Sequence, residues 1–134
     1  MRDLYHNLLP AVAFDPGAKT ASVTGTGVDL TGFEGALAKV QFGTITDGTH
    51  TPKLQESSDN TTYTDVAAGD QLGSFSAVTS GSGGSAIQAV GYIGSKKWIR
   101  VFVTVAGTTT GGVYGGEITK GFSRHLPVTA TQAP

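Results

Sequence analysis

Residues 96–105, Lys-Lys-Trp-Ile-Arg-Val-Phe-Val-Thr-Val, constrain the fold more than any other stretch of the chain. The run alternates, so an extended strand puts Ile99, Val101, Val103 and Val105 on one face and Trp98, Arg100, Phe102 and Thr104 on the other. A helix would scatter the same residues around its circumference. β-Branched side chains are stiff at χ1 and pack well on a pleated surface, so the first face is expected in the core. The second face is expected over a partner sheet or at an interface, with Arg100 reaching outward. Ala106-Gly107 and a Thr108-Thr109-Thr110 tract end the run.

Weaker versions of the same pattern recur along the chain. Residues 1–17 read as an N-terminal arm or first strand that ends at Pro16-Gly17. Ala18 to Thr24 alternates weakly before Gly25-Thr26-Gly27, and Val28 to Phe33 reads as a loop or one helical turn. Ala36 to Thr46 is a strand with Ala36, Ala38, Val40 and Phe42 on one face, and Asp47-Gly48 is its turn. Lys53 to Ser57 and Thr61 to Val66 read as a hairpin around Ser58-Asp59-Asn60. Leu72 to Val78 is β-like in composition, Ser80 to Ser85 is a loop tip, and Ile87 to Ile93 alternates again. Gly111 to Thr119 is a final, glycine-rich strand suited to close approach of another backbone. Residues 128–134 read as a flexible C-terminal tail.

Short strands separated by glycine-rich turns place the chain among sandwiches, jelly rolls and small barrels. The expectation is all-β: a single antiparallel β-sandwich over residues 18–127, jelly-roll-like. A length of 134 residues fits one domain. Size scaling gives a folded surface of roughly 6,600 Å² against roughly 20,000 Å² unfolded, a real but thin core.

Charge and composition narrow the function. Nine Lys and Arg against ten Asp and Glu leave a formal charge of −1, which offers no field for a phosphate backbone, so no nucleic-acid partner is expected. There is no cysteine, hence no disulfide and no thiolate site. The apolar run Leu8 to Phe14 is interrupted by Pro10 and preceded by Asp3, so it does not read as a signal peptide. No stretch reaches the roughly 18 apolar residues of a membrane span, and no membrane partner is expected.

Chemistry-bearing patterns are sparse. His6, His50 and His125 match no compact metal spacing and read as isolated surface or turn histidines. Asp47, Glu56, Asp59, Asp65 and Asp70 recur through a turn-rich stretch but lack the order of a calcium loop, so turn capping is expected. No nucleophile elbow or phosphate loop occurs. No catalytic residue, metal or cofactor is assigned. Lys96, Lys97, Trp98 and Arg100 form one basic-aromatic cluster, either a platform for a sugar or a lysine-protected strand edge. Trp98, Tyr92 and Tyr114 motivate a carbohydrate-binding module as an alternative.

Several phrases occur together: Tyr5-His6-Asn7, Gly27-Val28-Asp29-Leu30, Gln55-Glu56-Ser57-Ser58-Asp59, Val90-Gly91-Tyr92-Ile93-Gly94 and Lys97-Trp98-Ile99-Arg100-Val101. Over residues 5 to 127 they resemble small structural proteins encoded near the capsid genes of tailed bacteriophages and prophages. The resemblance implies a non-enzymatic virion component made in the host cytoplasm, a head decoration protein on the capsid surface. It further implies a major capsid protein as partner and a homo-oligomer, a trimer among the possibilities. Tail and head–tail connector proteins of the same gene neighbourhood are the alternative. Candidate interface residues are Tyr5, Leu8, Leu9 and Phe14 on the arm, with Trp98 and Arg100 on the outward face of the strongest strand.

Overall fold

The computed structural model describes residues 4–81 and 86–124. Residues 1–3, part of the Ser80–Ser85 loop, His125 and the tail lie outside the described residues. The described residues form ten strands: β1 Leu9–Lys19, β2 Val23–Thr24, β3 Val28–Asp29, β4 Phe33–Ile45, β5 Thr49–Ser57, β6 Thr64–Asp65, β7 Gln71–Leu72, β8 Ala86–Tyr92, β9 Trp98–Ala106 and β10 Gly112–Ser123. A single 3-10 turn covers Ala68–Asp70.

The strands form two antiparallel sheets packed as a β-sandwich, as the alternation predicts. The first sheet has the order β1-β10-β4-β8-β7, and the second β2-β9-β5-β6 with β3 also paired to β9. Ile99, Val101 and Val103 of β9 are completely buried. They belong to one core with Ala38, Val40 and Phe42 of β4, Val90 and Tyr92 of β8, and Tyr114 and Ile118 of β10.

Two expected boundaries shift for identifiable reasons. β1 does not turn at Pro16-Gly17. Register shifts between Val12 and Phe14 and between Phe14 and Gly17 absorb the irregularity, and the strand continues to Lys19. β1 is an edge strand, where a missing proline N–H need not remove a ladder bond. Residues from Leu9 onward therefore belong to the sandwich, and among the described residues the turn at Leu4–Leu8 precedes it; the Leu8 N–H donates to the Leu4 carbonyl at 3.1 Å. β5 likewise begins at Thr49 and passes through Pro52. β6 covers only Gln55 and Glu56, leaving the flank beside Pro52 outside that pairing.

His50 departs most from expectation. It is fully buried. Its position alternates in phase with Leu54 along β5, which turns it inward, and its backbone N–H and carbonyl both bond to Val78 at 2.9 and 2.8 Å. Its Nδ1 lies 2.9 Å from the Tyr114 hydroxyl and its Nε2 lies 3.1 Å from the Asp47 carbonyl oxygen. A carbonyl only accepts, so Nε2 carries the proton and Nδ1 accepts from Tyr114. Burial pushes the Tyr114 hydroxyl up to about 12, which keeps it a neutral donor.

Candidate assembly face

The two sheets present contrasting outer faces. On the first sheet, cross-strand register sets Pro10, Thr119, Leu37, Gly91 and Leu72 in one row. Val12, Glu117, Lys39 and Ala89 form the next, and Gly115, Gln41 and Ile87 the one beyond. Strand alternation points all of these away from the core, because Ile118, Ala38 and Val90 between them are buried. Val12 is 61% exposed, Ile87 65% and Leu72 61%, with Leu37 and Val113 also exposed. An ion pair lies at the centre of the face: Lys39 Nζ to Glu117 Oε1 at 2.5 Å. A groove of about 290 Å³ crosses the face between Val12 and Pro16 on one side and Ile87 on the other, floored by Gly115 and Gln41.

Glycines keep this face low. A Cβ on Gly115 would lie 3.0 Å from Pro16, and one on Gly121 would lie 3.1 Å from Leu8. Below the same strand, Gly116 leaves room for the Phe14 ring. The glycines thus admit a neighbouring backbone at Gly111, beside the Lys19 carbonyl, and at Gly115, beside Pro16, and side chains at Gly116 and Gly121.

The second sheet's outer face is polar and internally bonded. The Arg100 Nε donates to Gln55 at 2.8 Å, Gln55 donates to Asp65 at 3.0 Å, and Lys53 pairs with Asp65 at 3.1 Å. The Arg100 guanidinium stacks 4.0 Å above the Tyr63 ring, and Lys53 lies 5.3 Å from the Phe102 ring centre. Trp98 is half-buried, with Lys97 5.7 Å from its ring. Arg100 and Trp98 do share an outward face, and Arg100 is already engaged within the chain.

One end of the first sheet carries a second apolar group. Phe122 has φ +54°, in the left-handed region that bulky residues rarely adopt, and is 80% exposed. Its ring lies over Gly35, 3.0 Å from where a Cβ would stand. Leu8 packs at neighbouring Gly121, and exposed Leu4 and Tyr5 belong to the turn that leads to it. Leu9 opens β1 and is half-buried. Phe14, the last of the expected interface residues on the arm, turns mostly inward and lines the groove beside Val12 and Pro16. It is 6% exposed and meets Tyr114 edge-on at 5.9 Å.

The acidic residues are dispersed into separate duties. Asp47 accepts from the Gly111, Thr110 and Thr109 amides, and these bonds, the Gly111 one foremost, hold its carboxyl below the usual carboxylate range. The Thr62 and Thr61 amides and the Ser57 hydroxyl hold Asp59 down to about 2. Glu56 accepts from Tyr92 at 2.8 Å. Among the described residues, no group of three His, Asp or Glu side chains is placed to hold a metal ion. An open cleft of about 510 Å³ at the Phe122 end includes Phe33, Glu34, Lys96, Lys97 and Arg124 in its lining, and Arg124 is paired with Glu34 at 2.6 Å. Tyr92 and Tyr114 are each only 2% exposed, so neither offers a ring to a sugar. That removes two of the three aromatics behind the carbohydrate alternative.

The asymmetry between the outer faces was invisible in single-strand alternation. It was partly encoded in β8, whose outward positions are isoleucine, alanine and glycine where β5 and β9 include lysine, glutamine and arginine. Compared with known protein families, with curated proteins and with solved structures, the chain matches none of them.

Proposed function

We propose that this chain is a non-enzymatic virion structural protein of a tailed bacteriophage or prophage, a decoration protein that binds the major capsid protein on the outer head lattice. The observation that carries the reading is the group of exposed apolar side chains at one end of the sandwich, Leu4, Tyr5 and Phe122, beside a second sheet whose polar groups are internally paired. Exposed apolar groups gathered in one place mark a surface meant for another protein. Contacts that are weak singly become strong when a lattice repeats them.

Strand order supports the same reading. With β2 and β3 taken as one interrupted strand along β9, and two-residue β7 as an added edge, the chain makes eight passes. They run first–eighth–third–sixth in one sheet and second–seventh–fourth–fifth in the other. This order supports a jelly roll, an architecture used by viral capsid domains. Phe122 and the Leu4–Leu8 turn, at one end of the sandwich, supply the attachment point to the shell.

The test is to mix the purified protein with heads assembled without it and to sediment the particles. Saturable co-sedimentation at a fixed copy number per shell is expected. Failure to bind heads, or binding only to isolated tails, overturns the head assignment.

A further inference from the structure

We infer that the outer face of the first sheet is a two-fold contact between two copies of this chain, stacked sheet on sheet. The inference stands on the face itself and not on the virion reading. Its four main strands run β1-β10-β4-β8, so the midline of the face lies between β10 and β4. Glu117 and Lys39 are directly paired across that midline. A two-fold axis in the interface plane, along the midline, exchanges the positions of β10 and β4 and of β1 and β8. It sets Lys39 of one copy over Glu117 of the other, and Glu117 over Lys39. Four charges then alternate in sign around the axis.

The apolar side chains obey the same exchange. The groove lies over β10 and β4, walled by Val12 and Pro16 on the β1 side and by Ile87 on the β8 side. Rotation about the midline sets Ile87 of the second copy against Val12 and Pro16, and the reciprocal contact forms at once. The same residues meet on both copies, as an isologous interface requires. The strands of the two stacked sheets stay nearly aligned, the commonest geometry for face-to-face packing. Gly115 and Gly91 lower the surface along which the second sheet must approach.

The face is modest in extent. Four strands at about 4.8 Å spacing and about seven residues at about 3.3 Å rise give a footprint of roughly 440 Å². Counted on both copies this is roughly 900 Å², below the standard size and in the range of weak, transient contacts, so the free protein associates weakly and its dimer fills with concentration. Because the axis runs along the strands, both Phe122 rings come to the same end of the pair.

Light scattering coupled to gel filtration, from low micromolar to several hundred micromolar, tests the contact. Wild-type mass is expected to rise from monomer to dimer and stop there. Ile87→Asp, an exposed position, is expected to lose the dimer while keeping its β circular-dichroism signal. The charge test separates the contact from the pair within one chain. Lys39→Glu alone presents two acids and Glu117→Lys alone two bases, so each is expected to remain monomeric. An equimolar mixture of the two is expected to form a heterodimer at least tenfold tighter than either variant's self-association. Wild type that stays monomeric throughout, a trimeric mass, or a mixture that fails to associate overturns the inference.

Discussion

The His50 imidazole stands edge-on to the Tyr114 ring, with centroids 5.3 Å apart, and its buried Nδ1 accepts a hydrogen bond from the Tyr114 hydroxyl. The pair ties the second sheet to the first, since His50 lies on β5 and Tyr114 on β10. Tyr114→Phe removes the donor and leaves Nδ1 without a proton to accept, at an expected cost of about 1–3 kcal/mol in urea denaturation. His50→Leu combined with Tyr114→Phe should cost less than the two single changes together, because no orphaned polar atom remains from the pair. Strict additivity would show that the two groups are energetically independent.

Phe122 holds a left-handed backbone with its ring in solvent. Strain of this kind costs on the order of 1 kcal/mol. Phe122→Gly is expected to melt no lower than wild type and to lower attachment to heads at least fivefold. A large drop in melting temperature with unchanged attachment would make the residue a structural one.

Asp59 is fully solvent-facing and its carboxyl is held down to about 2 from 3.8 by the Thr62 and Thr61 amides. A depressed carboxylate contributes stability that is present above the unfolded value and lost as pH falls through the folded one. Between pH 4 and pH 2 the 58–62 loop should therefore loosen, read as faster amide exchange at Thr61 and Thr62 after correction for the intrinsic rate. In Asp59→Asn that pH dependence should flatten. An unchanged slope in the variant would assign the transition to another group.

Gly116 lies beneath the Phe14 ring, and a Cβ there would collide with it. Gly116→Ala is expected to destabilise by about 1–3 kcal/mol, the range for overpacking a filled site. Gly69, with open space around it, serves as the control: Gly69→Ala should shift stability by less than about 0.5 kcal/mol.

Much of this architecture is legible in the chain because strand alternation reports burial directly. Ile99, Val101 and Val103 read as core and are core; Ala38, Val40 and Phe42 do the same on β4. What is not legible depends on neighbours distant in sequence. Pro16-Gly17 looks like a turn until β1 is known to be an edge, and His50 looks like a turn histidine until Tyr114 is opposite it. The handedness of Phe122 leaves no mark in composition. The assembly face needs four strands in register before Lys39 meets Glu117, while Trp98 and Arg100, conspicuous in the sequence, sit in a face already crossed by internal hydrogen bonds.

The most direct measurement of the central claim is a cryo-microscopy map of the parent virion at a resolution that traces strands. The account predicts density for this sandwich on the outer surface of the head, repeated with the capsid lattice, with the Phe122 end toward the shell. Density for the chain in the tail or connector alone, or a mature particle that lacks it, would contradict that claim.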